Sequence, residues 1–316
     1  MLSTETLKQI NMNIRTVLGD ISPSELGNTA CHEHLLWTVP EPFTGEDPDL
    51  GFDSLPAAIE ELKYFKATGG NALVEMTTAE IGREPIHLRK ISQSAQVHVI
   101  AATGHHKDKF SAAALKDKSV EEIAAIIIAD INKGMDDTDV MAGVIKAATS
   151  KDMATDIERR VIQAVGFAHQ ATGAPVSTHT EAGTFALEQA RLLIQAGVPA
   201  GRLLIGHLDR NLPRETYHAI AKTGVYLGFD QIGKTKYWAD VERATLIKEL
   251  ISAGHLRQIL LSGDTARKSA WHTYNLHVEG IAHLLLVFVP LLQEAGVSEA
   301  DVHTMLVKNP ANFLAF

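Results

Sequence analysis

Two histidines separated by a single residue, His32 and His34, close a short apolar run near the start of the chain. Residues i and i+2 of a β-strand share a face, so the pair would present two imidazoles side by side. Imidazole is the commonest metal-ligating side chain. Alone, the pair proves little. Four more ligand-type residues each end an apolar run of their own: Lys146 after Ala142-Gly-Val-Ile, His179 in Ser-Thr-His-Thr, His207 in Ile-Gly-His-Leu and Asp264 in Leu-Ser-Gly-Asp. Taken singly, each has an ordinary structural reading: a hydrogen-bonded histidine, a solvated lysine, an aspartate capping the next helix. Taken together, the ordinary reading needs four histidines, a lysine and an aspartate to meet on one face by accident.

The elements that must position them repeat along the chain. An apolar run ends in a polar residue, a loop and a helix follow, and glycine ends the helix. The runs are Thr29–Cys31, Ala72–Met76, His98–Thr103, Ala142–Ala147, Pro175–Thr178, Leu203–Ile205, Val225–Phe229 and Ile259–Ser262. Several are too short or too uniformly apolar to alternate, as expected for parallel strands buried on both faces. Ser119 with Glu122 and Thr155 with Glu158 fit capping boxes. Gly69, Gly197, Gly224 and Gly254 fit left-handed helix ends. A helix over 184–196 would carry Leu187, Ala190, Arg191 and Ile194 on one side.

Eight strands alternating with helices predict a parallel α/β fold. Closure into a (β/α)8 barrel is economical because it removes both sheet edges. An open doubly wound sheet fits the same pattern, although no G-x-G-x-x-G phrase favours it. Ahead of the barrel, residues 15–18 and a second run to Leu26 predict a short hairpin, with Gly19-Asp20 as the turn. Residues 1–12 read as an arm and 13–316 as a single domain.

The 316 residues are 45% hydrophobic and 21% charged with a net charge of −9, an ordinary globular composition that offers no nucleic-acid surface. Cys31 is the sole cysteine, which forbids an intrachain disulfide and fits a reducing cytoplasm. The first residues lack the basic and then apolar stretches of a secretion signal. The most apolar segment, Ile281 to Leu292, is interrupted by His283 and Pro290 and is too short to span a membrane.

The set His32, His34, Lys146, His179, His207 and Asp264, in that order on strands one, four, five, six and eight, resembles the phosphotriesterase family of the amidohydrolase superfamily. The likeness runs from about residue 13 to the C-terminus and includes the closing Asn309-Pro310-Ala311. Within the family, the chain is most similar to the phosphotriesterase-homology and phosphorylated sugar lactonase branch. The resemblance implies two divalent ions, with zinc as the expected metal. His32, His34 and Asp264 would hold one ion and His179 and His207 the other. Lys146 would bridge them as a carbamate formed with CO2. An amine cannot bridge two dications, whereas a carbamate offers two anionic oxygens, and a lysine buried beside cations has a depressed pKa. The resemblance further implies a hydroxide between the ions that attacks a small lactone or ester, since one zinc alone brings the pKa of water to about 7. Asp264 would take the proton. By strand alternation Glu33 faces away from the barrel axis, and Cys31, opposite His32, is a small packing residue.

For the substrate, Lys234, Lys236, Arg267 and Lys268 follow the seventh and eighth runs and favour a small anionic molecule. The ordinary reading of each is a solvated surface charge. Family members acting on phosphorylated furanose lactones grip the phosphate with a lysine and an arginine from these two loops. Lys236 and Arg267 match best, with Lys234 as the rival lysine. The chain departs from those relatives at Ala270, where some carry an aromatic residue, over 274–280, where a glycine-rich phrase is common, and at His105-His106, where paired tyrosines are common. His105 is a candidate substrate contact. The expected function is hydrolysis of a phosphorylated sugar lactone. The alternatives are a phosphotriester hydrolase, or an unphosphorylated lactonase or carboxylesterase, on the same metals, and a non-catalytic ligand-binding barrel. A one-metal deaminase is disfavoured by Lys146. Family precedent makes a homodimer the expected assembly, and neither a nucleic acid nor a membrane is an expected partner.

Overall fold

The computed structural model describes residues 12–316, so nearly all of the predicted arm lies outside the described residues. An antiparallel hairpin, β1 (Ile14–Thr16) and β2 (Gly19–Ile21), precedes eight parallel strands. These are β3 (Thr29–Glu33), β4 (Ala72–Glu75), β5 (His98–Gly104), β6 (Val144–Thr149), β7 (Val176–Thr180), β8 (Leu203–Ile205), β9 (Tyr226–Phe229) and β10 (Ile259–Leu261). They pair in chain order with helices between them, which is a (β/α)8 barrel. The last seam, β10 to β3, is closed partly by side chains. The Asp264 amide donates to the His32 carbonyl at 3.1 Å, and the Ser262 hydroxyl sits 3.0 Å from the His32 nitrogen and 2.8 Å from its oxygen.

Alternation along the strands divides the core in two. Leu73, Val99, Ala101, Ile145, Leu203 and Ile205 pack outward against the helices. Val74, Ile100, Ala102, Val144, Leu204 and Leu260 fill the interior, closed off by Ile14, Leu26 and Phe313. Lys146 shares the parity of Val144 and so continues the interior column above this apolar plug. Both capping boxes form, and the four predicted helix-ending glycines all take left-handed φ values.

Three local expectations change. The hairpin turn is Val17-Leu18, with Gly19 and Asp20 paired across from Thr16 and Arg15. Val17 is buried and donates to the Val99 carbonyl at 2.9 Å, so docking onto β5 sets the turn. The first barrel strand runs on through His32 and Glu33, and its register with β4 shifts between Ala30 and Glu33. This bulge re-aims side chains: Cys31 joins the interior cluster although His32 lines the cavity above it. The sixth helix spans Ala186–Gln195 and buries Ala186, Gln189, Ala190 and Leu193, leaving Arg191 exposed. Gln189 is inside because its amide donates to Thr149 and to the His179 carbonyl, both at 2.9 Å. Among the described residues no helix is long and apolar enough to cross a membrane.

Candidate metal centre

At the C-terminal mouth of the barrel a cavity of about 160 Å³ gathers all six predicted ligands: His32, His34, Lys146, His179, His207 and Asp264. Its remaining wall is mostly apolar, with Trp37, Ile81, Phe110 and Ala266. His34 Nε2 lies 3.7 Å from Asp264 Oδ1, and the His32 and His34 rings are 5.9 Å apart. His207 Nε2 lies 2.8 Å from His179 Nδ1. The Lys146 ammonium nitrogen donates to the Met76 carbonyl at 2.8 Å. Two of the ligands rest on unusual backbone: His207 has φ +59° and Asp264 φ +47°. Such left-handed non-glycine residues cluster at functional sites, where the surroundings enforce them. By parity with Leu204 and Gly206, His207 would point outward; its left-handed turn brings the ring back in. The preceding Gly206 leaves no room for a Cβ, which would stand 2.2 Å from the Thr178 carbonyl oxygen.

The donor set fits a metal. His32, His34 and Asp264 offer ligand atoms within 4.8 Å of one another, as do His32, His207 and Asp230. His179 Nε2 is buried without a hydrogen-bond partner and its Nδ1 meets only the His207 ring, so among the described residues the His179 imidazole has no protein partner beyond that ring. Burial lowers the His32 pKa and drives those of His34 and His179 far below the ordinary histidine value, so all three rings are neutral donors. Burial likewise brings Lys146 down to about 8. Burial alone would raise Asp264, yet the Lys234 ammonium beside it, with His207, holds its carboxyl well below the carboxylate range.

Buried carboxylates outside the predicted set orient the ligands. Asp230 Oδ1 accepts from the His207 amide at 2.7 Å and lies 2.8 Å from its Nδ1, while Oδ2 stands 3.4 Å from His32 Nδ1. A carboxylate on the far nitrogen fixes a ligating histidine's tautomer and strengthens it as a donor. Glu75 accepts from the Thr77 hydroxyl at 2.5 Å, and that hydroxyl lies 2.8 Å from His34 Nδ1. Burial raises the Glu75 carboxyl to about 7. Sequence reasoning missed both. The signal for Asp230 was the interior parity of Tyr226, Gly228 and Asp230; Glu75 offered none. Gln231 was also missed: its amide donates to Asp264 Oδ2 at 3.3 Å, and its oxygen accepts from Arg210, whose guanidinium stacks 3.5 Å from the Tyr237 ring.

The predicted substrate residues are dispersed. Lys234 reaches the site and contacts Asp264 Oδ2. Lys236 is exposed, its ammonium 4.8 Å from the Tyr237 ring centre. Arg267 is tied to Asp47 at 2.8 Å and Asp49 at 3.2 Å, both on the loop after β3. His105 lies against Glu80, 3.5 Å away, outside the cavity lining; His106 lines it, 4.6 Å from the His179 ring.

Comparison with known proteins agrees with this architecture. The model of the phosphotriesterase family matches residues 12–314. A phospho-furanose lactonase of Mycoplasmopsis synoviae is 34% identical, over 97% of this chain and 92% of its own length. The phosphotriesterase homology protein of Escherichia coli is 33% identical, over 91% and 97%. The crystal structure of a lactonase from Listeria monocytogenes superposes with a TM-score of 0.91 at 32% identity, over 96% and 99%.

Proposed function

Since the chain belongs to the phosphotriesterase family and is an ester-hydrolysing enzyme of the lactonase type, we propose that it uses two divalent ions to open a small phosphorylated sugar lactone. The observation that carries the two-ion reading is the cavity itself: the His32–His34–Asp264 cluster, the His179–His207 pair and the Lys146 amine converge there. His32, His34 and Asp264 would hold one ion, His179 and His207 the other, with Lys146 as a carbamate between them. When bound, the ions supply Lewis acidity toward the ester carbonyl and lower the pKa of water.

The chain's own groups do the rest. Asp264 Oδ1 faces the cavity as proton acceptor, and Lys234 and Gln231 hold Oδ2. Trp37, Ile81 and Phe110 exclude water around the scissile bond. The neutral Lys146 amine favoured by burial is the form that attacks CO2. The phosphate reading draws support from the phospho-furanose lactonase relatives.

Arg267 supports a second reading, an unphosphorylated lactone or ester. Its guanidinium is already neutralised by Asp47 and Asp49, and the cavity wall is apolar. Phosphorylated and unphosphorylated pentonolactones, assayed with zinc and bicarbonate on wild type, K234A and R267A, separate the two. A selective rise in KM for phosphorylated substrates supports the first; equal kinetics on both classes supports the second. No turnover on any lactone overturns both.

A further inference from the structure

Glu33 sits between His32 and His34 but turns to the seam between β3 and β10, where its side chain is fully buried. One carboxylate oxygen accepts from the Gly263 amide at 2.8 Å and the Ser262 hydroxyl at 2.8 Å. The other accepts from the Thr265 amide at 2.9 Å and from the Thr265 hydroxyl. Those two amides flank Asp264, whose own amide donates to the His32 carbonyl. Three successive amides, at 263, 264 and 265, are thus held by the dipeptide His32-Glu33. Between them lies the left-handed φ of +47° at Asp264, a conformation that a side-chain-bearing residue keeps only when its surroundings over-determine it.

We propose that Glu33 is a positioning residue: its carboxylate clamps the Gly263 and Thr265 amides and so holds Asp264 in the left-handed turn that aims its carboxylate at His34. One strand would then supply two ligands of the first ion directly and fix the third through the seam. The chemistry demands a carboxylate there, because each oxygen must accept from a fixed N–H. A glutamine of the same shape would have to turn its NH2 group onto one of them, donor against donor. The inference rests on the reading of Asp264 as ligand and proton acceptor, but its test does not depend on turnover.

Amide hydrogen exchange on the metal-free protein reads the clamp directly. In wild type the Gly263 and Thr265 amides should be protected. In E33Q they should exchange at least about tenfold faster while β5 and β6 amides are unchanged. Zinc titration should show one of the two affinities weakened about 10–100-fold, the usual effect of removing an outer partner of a ligand, and kcat should fall with little change in KM. T265A, which loses the hydroxyl but keeps the amide, should retain both zinc affinities. E33D keeps the charge but is too short to span both amides, so it should lie between wild type and E33Q; it also decides the matter if E33Q does not fold. Unprotected amides in wild type, or an E33Q protein of reduced stability with unchanged exchange at 263 and 265 and unchanged zinc affinity, would overturn the proposal. If wild type binds no zinc, the functional reading fails while the exchange data still decide the role of Glu33.

Discussion

Replacing Asp230 by Asn keeps the volume of a fully buried side chain and removes one negative charge. In the native site that charge lies 2.8 Å from His207 Nδ1 and 3.4 Å from His32 Nδ1, touching a ligand of each proposed ion. Burial alone would raise the Asp230 carboxyl, yet His207 and His32 hold it well below the usual range, so it is anionic at neutral pH. An asparagine oxygen can still accept from the His207 amide and Nδ1–H, so the left-handed turn at His207 survives. What is lost is the field that makes two imidazoles better donors. Outer-shell changes of this kind cost about 10–100-fold in metal affinity or activity, or about 1.4–2.7 kcal/mol. Both ions should be affected, because both histidines lose the adjacent negative charge. The assay is zinc titration of the metal-free protein against a chromophoric chelator, beside denaturant unfolding of the same sample. Zinc affinities within about twofold of wild type, with the metal-free fold intact, would refute the assignment of Asp230 as the common orienting group.

Four more outcomes follow from the site. Burial lowers the Lys146 ammonium to about 8 from 10.5, so roughly a quarter of it is neutral at pH 7.5; at constant dissolved CO2, reconstitution should speed up about tenfold per pH unit below 8 and level off above it, and K146M should lose the CO2 response. By the same shift the unfolded chain binds this proton more tightly, so urea unfolding of the metal-free protein should show a contribution to stability that rises from about pH 8 to about 10.5 and is absent from K146M. Q231L removes the 3.3 Å bond to Asp264, worth about 1 kcal/mol, and should lower kcat about fivefold; R210A should reproduce part of that loss by freeing the Gln231 amide to rotate, and unchanged kinetics in both would contradict the role. D47N and D49N loosen exposed ion pairs that hold Arg267, so the KM for phosphorylated substrates should fall by a few-fold at most, with no change for unphosphorylated ones.

The strand–helix alternation was legible because parallel strands buried on both faces write themselves as apolar runs, and five of the eight ended in a residue that lines the cavity. Less legible was everything that depends on backbone departing from a regular strand. Parity alone would turn His207 outward, and nothing in Gly206-His207 or Gly263-Asp264 announces a left-handed residue. The bulge at Cys31 likewise broke the alternation from which its side chain was placed. Carboxylates behind the ligands were hard to read for a different reason. Glu75 within its strand and Asp230 just past its own are ordinary residues in sequence, and their role appears only when neighbouring strands bring a histidine close. Long side chains on loops were least legible: Lys234 reaches Asp264 and Lys236 does not, although two positions separate them and both are lysines.

Anomalous diffraction at the zinc edge, from crystals grown with zinc and bicarbonate, would locate the ions of the two-ion site. Two peaks per chain are expected in the barrel mouth, one bounded by His32, His34 and Asp264 and one by His179 and His207, with carboxylated density on Lys146 between them. A single peak, or two ions held elsewhere with Lys146 unmodified, would contradict the two-ion site.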